Sequence, residues 1–275
     1  MTSLITTSRP RFWIYLFGPY LVGITAGAAT SADFLHLESI LFALYFLLPA
    51  NLLVYGINDI FDFETDSVNP KKAGYESLVG PDRRRTVLIA IAILTVPFLL
   101  PAILLAPRAL PSIAAFLFLS IFYSAPPIRA KAVPVLDSLF NALYIFPGAF
   151  AYQILTGEFP PLWAIVAAGL WTAAMHAYSA IPDIEADTKA GVETIATLLG
   201  RGGTHIFCVG CFAVSGIVAA VNGSVASVLG ILYVGLMRWS DISPEDTFRV
   251  YKIFPIFNAI VGFLIFLSVA VPKFF

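Results

Sequence analysis

The 275-residue sequence predicts an all-α integral membrane protein, a bundle of nine transmembrane helices built as a single domain over residues 1–275. Three observations predict it. Hydrophobic residues make up 59% of the chain and charged residues only 12%, about half the usual charge, and the mean hydropathy is +0.87. The apolar residues fall in runs long enough to cross about 30 Å of hydrocarbon. The basic residues, finally, sort to one side of those runs. The balance of 16 Lys plus Arg against 17 Asp plus Glu excludes nucleic acid as a partner, which needs a basic excess. Two cysteines are too few for a disulfide scaffold. The polar residues 1–10 run into an apolar stretch without a small-residue cleavage site, so no removable signal peptide is expected.

Taken in order, the expected spans lie near Phe12–Ser31, Ser39–Ile57, Thr86–Ala106, Leu110–Tyr123, Leu136–Gly157, Leu162–Ile181, Thr204–Val221, Ser224–Met237 and Ile253–Val271. The fourth and eighth are short. Pro19, Pro49, Pro97 and Pro147 lie inside spans; membrane helices tolerate proline because neighbouring helices and water satisfy the freed backbone groups, and kinks are expected there. Arg83, Arg84 and Arg85 precede the third span and read as an anchor to anionic membrane lipid.

Nine spans assign every loop to a side. The N-terminus and the even loops then hold fourteen of the sixteen basic residues, leaving Arg108 and Lys273 opposite. Missing or inventing one span scrambles this partition, so it supports both the count and a cytoplasmic N-terminus. Fourteen of the seventeen acids follow the same partition, and only Asp33, Glu38 and Glu158 fall outside. Function is therefore expected on the cytoplasmic face.

Two acidic helix ends stand out there. After the second span the chain reads Asn58-Asp59-Ile60-Phe61-Asp62-Phe63-Glu64-Thr65-Asp66. At 100° per residue Asp59, Asp62 and Asp66 fall within about 60° of one another, with Glu64 opposite. Carboxylates on one stripe repel, so a cationic species is expected facing them. The sixth span ends in Asp183-Ile184-Glu185-Ala186-Asp187, where Asp183 and Asp187 share a face and Glu185 again points away. Asp62 to Asp183 and Asp66 to Asp187 are both 121 residues apart, a weak hint of a duplicated unit. Mg²⁺ suits such ends, because it is usually held by one or two carboxylates plus substrate phosphates. Lys71, Lys72, Arg129 and Lys131 then face the remaining phosphate oxygens. Acids for a metal and bases for phosphate, beside an apolar bundle, point to a diphosphate carrying a lipid tail. One DxxxD at a helix end is ordinarily a solvated face; two on the same side of the membrane weigh against that reading.

These motifs resemble those of the UbiA superfamily of intramembrane prenyltransferases over essentially the whole chain. The first family motif is complete as Asn58, Asp59, Asp62 and Asp66, and the tyrosine-rich turn with a basic pair is similar to Tyr123 through Lys131. The second is partial: Asp183 and Asp187 are present, and Ala180 stands where the family has an Asp. The segments Ser8–Trp13, Asn69–Lys72 and His176–Asp183 are most similar to the lycopene elongase branch, which makes fifty-carbon carotenoids. The resemblance implies a nine-helix bundle with a central cavity open to the cytoplasmic face and laterally to lipid. It further implies transfer from an allylic diphosphate donor, dimethylallyl diphosphate in this branch, to a hydrophobic polyene. Asp59, Asp62, Asp66, Asp183 and Asp187 are then the catalytic Mg²⁺ ligands, assisted by Asn58. Lys72, Arg129 and Lys131 bind the diphosphate.

The allylic cation left after ionisation needs a dry, electron-rich pocket, and Tyr123, Tyr178 and Trp171 are candidates for cation–π stabilisation. His176, one turn before Ala180, is a candidate to orient substrate. Cys208 and Cys211 form a CxxC inside an apolar span and read as small hydrophobes. Single aromatic residues among the 24 Phe and 11 Tyr are more often packing than tunnel. Two other readings stay open: the same chemistry on a quinone precursor, tetrapyrrole or glycerol-phosphate lipid, and an ion-coupled transporter, which also buries acids in helices. Transporters bind near the bilayer midplane, whereas these acids close helices on one face.

Overall fold

A computed structural model describes residues 3–66 and 79–275, the side chains of 64–66 excepted. Among the described residues all regular structure is helical. The α-helices are α1 (Leu4–Thr7), α2 (Ile14–Gly27), α3 (Leu37–Leu47), α4 (Pro49–Asp66), α5 (Arg84–Leu105), α6 (Leu110–Ser124), α7 (Leu136–Leu139), α8 (Phe146–Thr156), α9 (Leu162–Ala180), α10 (Ile184–Ala190), α11 (Ile195–Val221), α12 (Ser227–Ser240) and α13 (Pro244–Phe274).

The chain is a multi-pass membrane protein. Six helical stretches are long and apolar enough to cross a bilayer, and a seventh is added if the bent pair Leu136–Tyr144 and Phe146–Thr156 is one span; α2 and α12 are apolar but shorter. Each expected run falls on one of these stretches. Proline acts differently by position. Pro19, Pro97 and Pro101 lie within continuous helices, whereas Pro49 opens α4 after a break at Leu48 and Pro147 follows a bend of 40°. At a helix start the missing N–H of proline costs no hydrogen bond.

Two helices run beyond the expected spans. α11 begins at Ile195, before Thr204, and kinks at Gly200, whose φ of 66° is open to a residue without Cβ. In α13 the polar first turn is capped by Ser243, whose Oγ accepts from the Asp246 N–H at 3.1 Å. The start of α13 is polar and carries no hydropathy signal, whereas the apolar start of α11, residues 195–199, is set off from the expected run by Gly200-Arg201-Gly202-Gly203.

By contacts the chain divides into two compact units. The first comprises Met1–Arg129 with Phe146–Phe159, and the second Ala130–Ile145 with Pro160–Lys273. In the first, α2 packs on α8 at backbone distance: a Cβ built on Gly23 meets the Gly148 carbonyl oxygen at 2.0 Å, and one on Gly148 meets the Pro19 carbonyl oxygen at 2.8 Å. Helices in lipid gain little from hiding apolar surface from one another, so close packing of small residues supplies the attraction. Buried rings fill the rest, with Phe42 and Phe150 at 4.5 Å and Phe46 and Phe116 at 5.3 Å between centroids, each pair contributing about 0.5–1.5 kcal/mol.

In the second unit α9 and α12 pack on α11. Phe212 stacks on Tyr233 at 4.4 Å, and the Tyr233 hydroxyl donates to Asn258 Oδ1 at 2.6 Å. The outward residues Ile93, Val96, Leu100, Ile103 and Leu104 of α5 are exposed, as a lipid-facing helix requires.

Candidate active site

The first acidic cluster is built by the C-terminal half of α4. Asp59 and Asp62, one helical turn apart, are 0% and 1% exposed. Burial of a carboxylate is costly unless it is paired and hydrogen-bonded, and the first unit supplies partners from two other segments. Arg9 donates from Nη2 to Asp59 Oδ1 at 2.6 Å, and its guanidinium lies 5.0 Å from the centre of the Tyr55 ring. Asn58 Nδ2 donates to Asp62 Oδ2 and, at 3.0 Å, to Ser124 Oγ; Ser124 Oγ in turn reaches Asp62 Oδ2 at 3.4 Å.

Local sequence explains how Arg9 is delivered. Ser3 caps α1 through its side chain, Trp13 Nε1 donates to the Ser8 carbonyl at 3.1 Å, and Arg9 between them sits at φ 51°. Such a left-handed conformation is unfavourable for a residue with a side chain and is held where surrounding contacts over-determine it.

Arg129 is the second residue of this kind, at φ 47°, with its N–H bonded to the Ala125 carbonyl at 3.0 Å. Its Nε is buried without a hydrogen-bond partner among the described residues, a donor directed where an anionic oxygen would satisfy it. Tyr123, beside Ser124 at the end of α6, is half-buried. Asp66 closes α4, and its side chain lies outside the described residues, as do Lys71 and Lys72.

The second acidic cluster follows α9. Asp183 ends the 3₁₀ turn Ile181–Asp183, and Asp187 lies on α10. Both are half-buried, while Glu185 is exposed and paired with Lys189 at 2.6 Å, the sorting expected from helical spacing. Lys131 is half-buried in the turn Ala130–Ala132. Ala180, in place of the family's Asp, is buried.

His176 and Tyr178 are set into α9 in different ways. His176 Nε2 lies 3.4 Å from Asp137 Oδ2. Tyr178 is fully buried, its hydroxyl donating to the Thr247 carbonyl at 3.0 Å and lying 2.9 Å from Ser240 Oγ. His205 Nε2 is 3.0 Å from the same Ser240 Oγ, and His205 Nδ1 is 2.8 Å from the Arg201 carbonyl. A carbonyl only accepts, so Nδ1 carries the proton and Nε2 is free to accept from Ser240. This network ties α9, α11, α12 and α13 together. Trp171 stands edge-on to Tyr233 at 5.9 Å. Cys208 and Cys211 are free thiols, and Cys208 is buried.

Arg9, Ser124 and Asp137 are the residues that sequence reasoning missed. Arg9 is the cation expected opposite the first stripe, hidden because it lies 50 residues away. Asp137 sat in plain view as an acid just inside an otherwise apolar run, where an ionisable group points to function. Among the described residues no three Asp, Glu, His or Cys side chains form a metal-sized group. The first motif is nonetheless all carboxylate and amide oxygen, a donor set that fits a hard cation such as Mg²⁺.

The UbiA prenyltransferase family model matches residues 16–257. A lycopene elongase/hydratase from Haloferax volcanii is 42% identical over 273 residues, covering 98% of this chain and 88% of the relative. Another from Halobacterium salinarum is 41% identical over 259 residues and covers 94% of each. The structure of a UbiA homolog from Archaeoglobus fulgidus bound to GPP and Mg²⁺ aligns with a TM-score of 0.71 at 20% identity, over 96% of this chain and 99% of that one.

Proposed function

The chain belongs to the UbiA prenyltransferase family, and on that premise we propose that it transfers a dimethylallyl group from its diphosphate to lycopene or a related carotenoid end group, releasing diphosphate. The enzyme is a prenyltransferase; donor, metal and acceptor are the proposed parts. The reading rests above all on the buried Asp59 and Asp62 with their Arg9, Asn58 and Ser124 partners. Ionisable side chains buried in a membrane bundle mark a functional site by default.

Asp59, Asp62, Asp66, Asp183 and Asp187 are assigned to hold Mg²⁺. When bound, Mg²⁺ neutralises charge on the departing diphosphate. Arg9 and Asn58 keep the first carboxylates in place, so that little reorganisation is needed as charge develops. Arg129, through its buried Nε, binds the diphosphate together with Lys72 and Lys131. Tyr123 and Trp171 offer ring faces to the allylic cation; Tyr178, fully buried and bonded to Ser240 and Thr247, supports the helix that carries His176. The surrounding apolar helices exclude water until the new carbon–carbon bond has formed.

The proposed topology is one domain of nine spans with the N-terminus and both acidic motifs cytoplasmic, and a cavity open to that face and to lipid. The polyene then enters from the bilayer and the soluble donor from the cytoplasm. The decisive experiment supplies the purified, membrane-reconstituted protein with dimethylallyl diphosphate, Mg²⁺ and lycopene. Lycopene lengthened by one or two C5 units is expected, and chelation by EDTA is expected to abolish it. If lycopene stays unchanged while a quinone precursor, tetrapyrrole or glycerol-phosphate lipid is alkylated, the acceptor assignment is wrong and the family chemistry stands.

A further inference from the structure

Attack of a polyene double bond on the allylic cation leaves a tertiary cation that must be discharged, by losing a proton or by capturing water. We propose that His176, held by Asp137, is the base that ends the reaction; this rests on the prenyl-transfer reading.

Position is the first support. His176 precedes Asp183 by seven residues, the last three in the 3₁₀ turn Ile181–Asp183, which leaves the two within about 40° of one face and puts His176 roughly 10 Å further along the axis towards the membrane interior. A dimethylallyl group whose diphosphate is held at Asp183 extends in that direction. Ala180, between them at one turn from each, leaves the face uncluttered by the carboxylate other family members carry.

Support also comes from the way Asp137 is held. It is 0% exposed, and its Oδ2 accepts the N–H of Ile195, first residue of α11, at 2.9 Å. The same oxygen lies 3.4 Å from His176 Nε2, while Oδ1, equally buried, has no hydrogen-bond partner among the described residues. A carboxylate placed only to cap α11 is satisfied by backbone donors. Here Oδ2 lies within reach of both the Ile195 N–H and the imidazole. The Nε2 edge of the imidazole faces this carboxylate at 3.4 Å, which positions the ring and makes Nδ1 the nitrogen assigned to take the proton.

The step balances in either outcome. In elimination, the C–H bond next to the cation breaks, its electron pair becomes the new C=C bond and the proton goes to Nδ1. In hydration, a water oxygen bonds to the cation and one of its protons goes to Nδ1, leaving an alcohol. In both, diphosphate is the leaving group and the histidine later returns its proton to solvent. His176 is the catalytic residue here and Asp137 its positioning residue.

The test uses the full-length reconstituted protein with Mg²⁺, dimethylallyl diphosphate and lycopene, measuring diphosphate release and alkylated carotenoid side by side. His176→Ala is expected to lower the alkylated product about a hundredfold, to spread what remains over several isomers, and to regain the wild-type isomer when imidazole is added. Asp137→Asn is expected to shift the isomer pattern in the same direction with a smaller loss, about tenfold. His176→Gln retains a hydrogen-bond donor for Asp137 but no base; it is expected to match the alanine variant's isomer spread and serves where alanine impairs folding. A wild-type isomer pattern in the folded His176 variants, unaffected by imidazole, overturns the proposal. Absence of diphosphate release from the wild-type protein is a different result, which overturns prenyl transfer itself.

Discussion

Replacing Arg9 by Gln removes the guanidinium from a carboxylate that has no access to water. Arg9 Nη2 and Asp59 Oδ1 are 2.6 Å apart, with side chains 11% and 0% exposed. At a charge separation of about 4 Å and an effective dielectric near 20, their gross attraction is about 4 kcal/mol. Truncating one partner of such a pair typically costs 3–5 kcal/mol, because the other charge stays buried. Losing the contact with Tyr55 adds roughly 0.5–1 kcal/mol. Arg9→Gln is therefore expected to cost about 3.5–6 kcal/mol, a fall in Tm of about 7–24 °C for a chain of this size.

The discriminating assay is a double-mutant cycle of Arg9→Gln with Asp59→Asn, followed by thermal unfolding in detergent micelles. Removing both charges leaves neither stranded, so the double variant is expected to be more stable than the sum of the single losses implies, by at least about 1.5 kcal/mol. Single losses that add within about 0.5 kcal/mol would show that the pair is not coupled, and the account of the buried Asp59 would be refuted.

Other outcomes follow from the same geometry. Asp62→Ala and, separately, Asp183→Ala are expected to lower Mg²⁺-dependent diphosphate release at least about a hundredfold; near-normal turnover in both variants contradicts the assignment of both motifs to the metal. Gly23→Leu places a side chain where even a Cβ lies 2.0 Å from the Gly148 carbonyl oxygen, so α2 and α8 must separate; a loss of about 3 kcal/mol or more is expected in the same unfolding assay, and unchanged stability argues against the close packing. Tyr178→Phe deletes the hydroxyl shared with Ser240 and Thr247 and is expected to cost about 1–2 kcal/mol, read as a lowered Tm.

The elements legible in the sequence were those set by a repeating local rule. Helical spacing put Asp59 and Asp62 on one stripe and Glu185 opposite Asp183 and Asp187, and the structure buries the first pair and exposes Glu185. Apolar runs located the membrane helices, because in hydrocarbon a segment has to satisfy its own backbone. The same rule failed at the polar start of α13, where the turns before Ile253 are helical but carry no apolar signal, and at α11, whose apolar first residues 195–199 are cut off from the run by Gly200-Arg201-Gly202-Gly203.

Sequence by itself thus determined the class of fold, the approximate spans and which acids share a helix face, all of which depend on residues near one another in the chain. Tertiary structure alone decided the partners. Arg9 reaches Asp59 across 50 positions, Ser124 reaches Asp62 across 62, and Ile195 reaches Asp137 across 58. Nothing local marks these pairings. A buried carboxylate needs a donor, but which donor arrives depends on how the helices pack, and that packing is set by contacts such as Gly23 against Gly148, far along the chain from the charges they bring together.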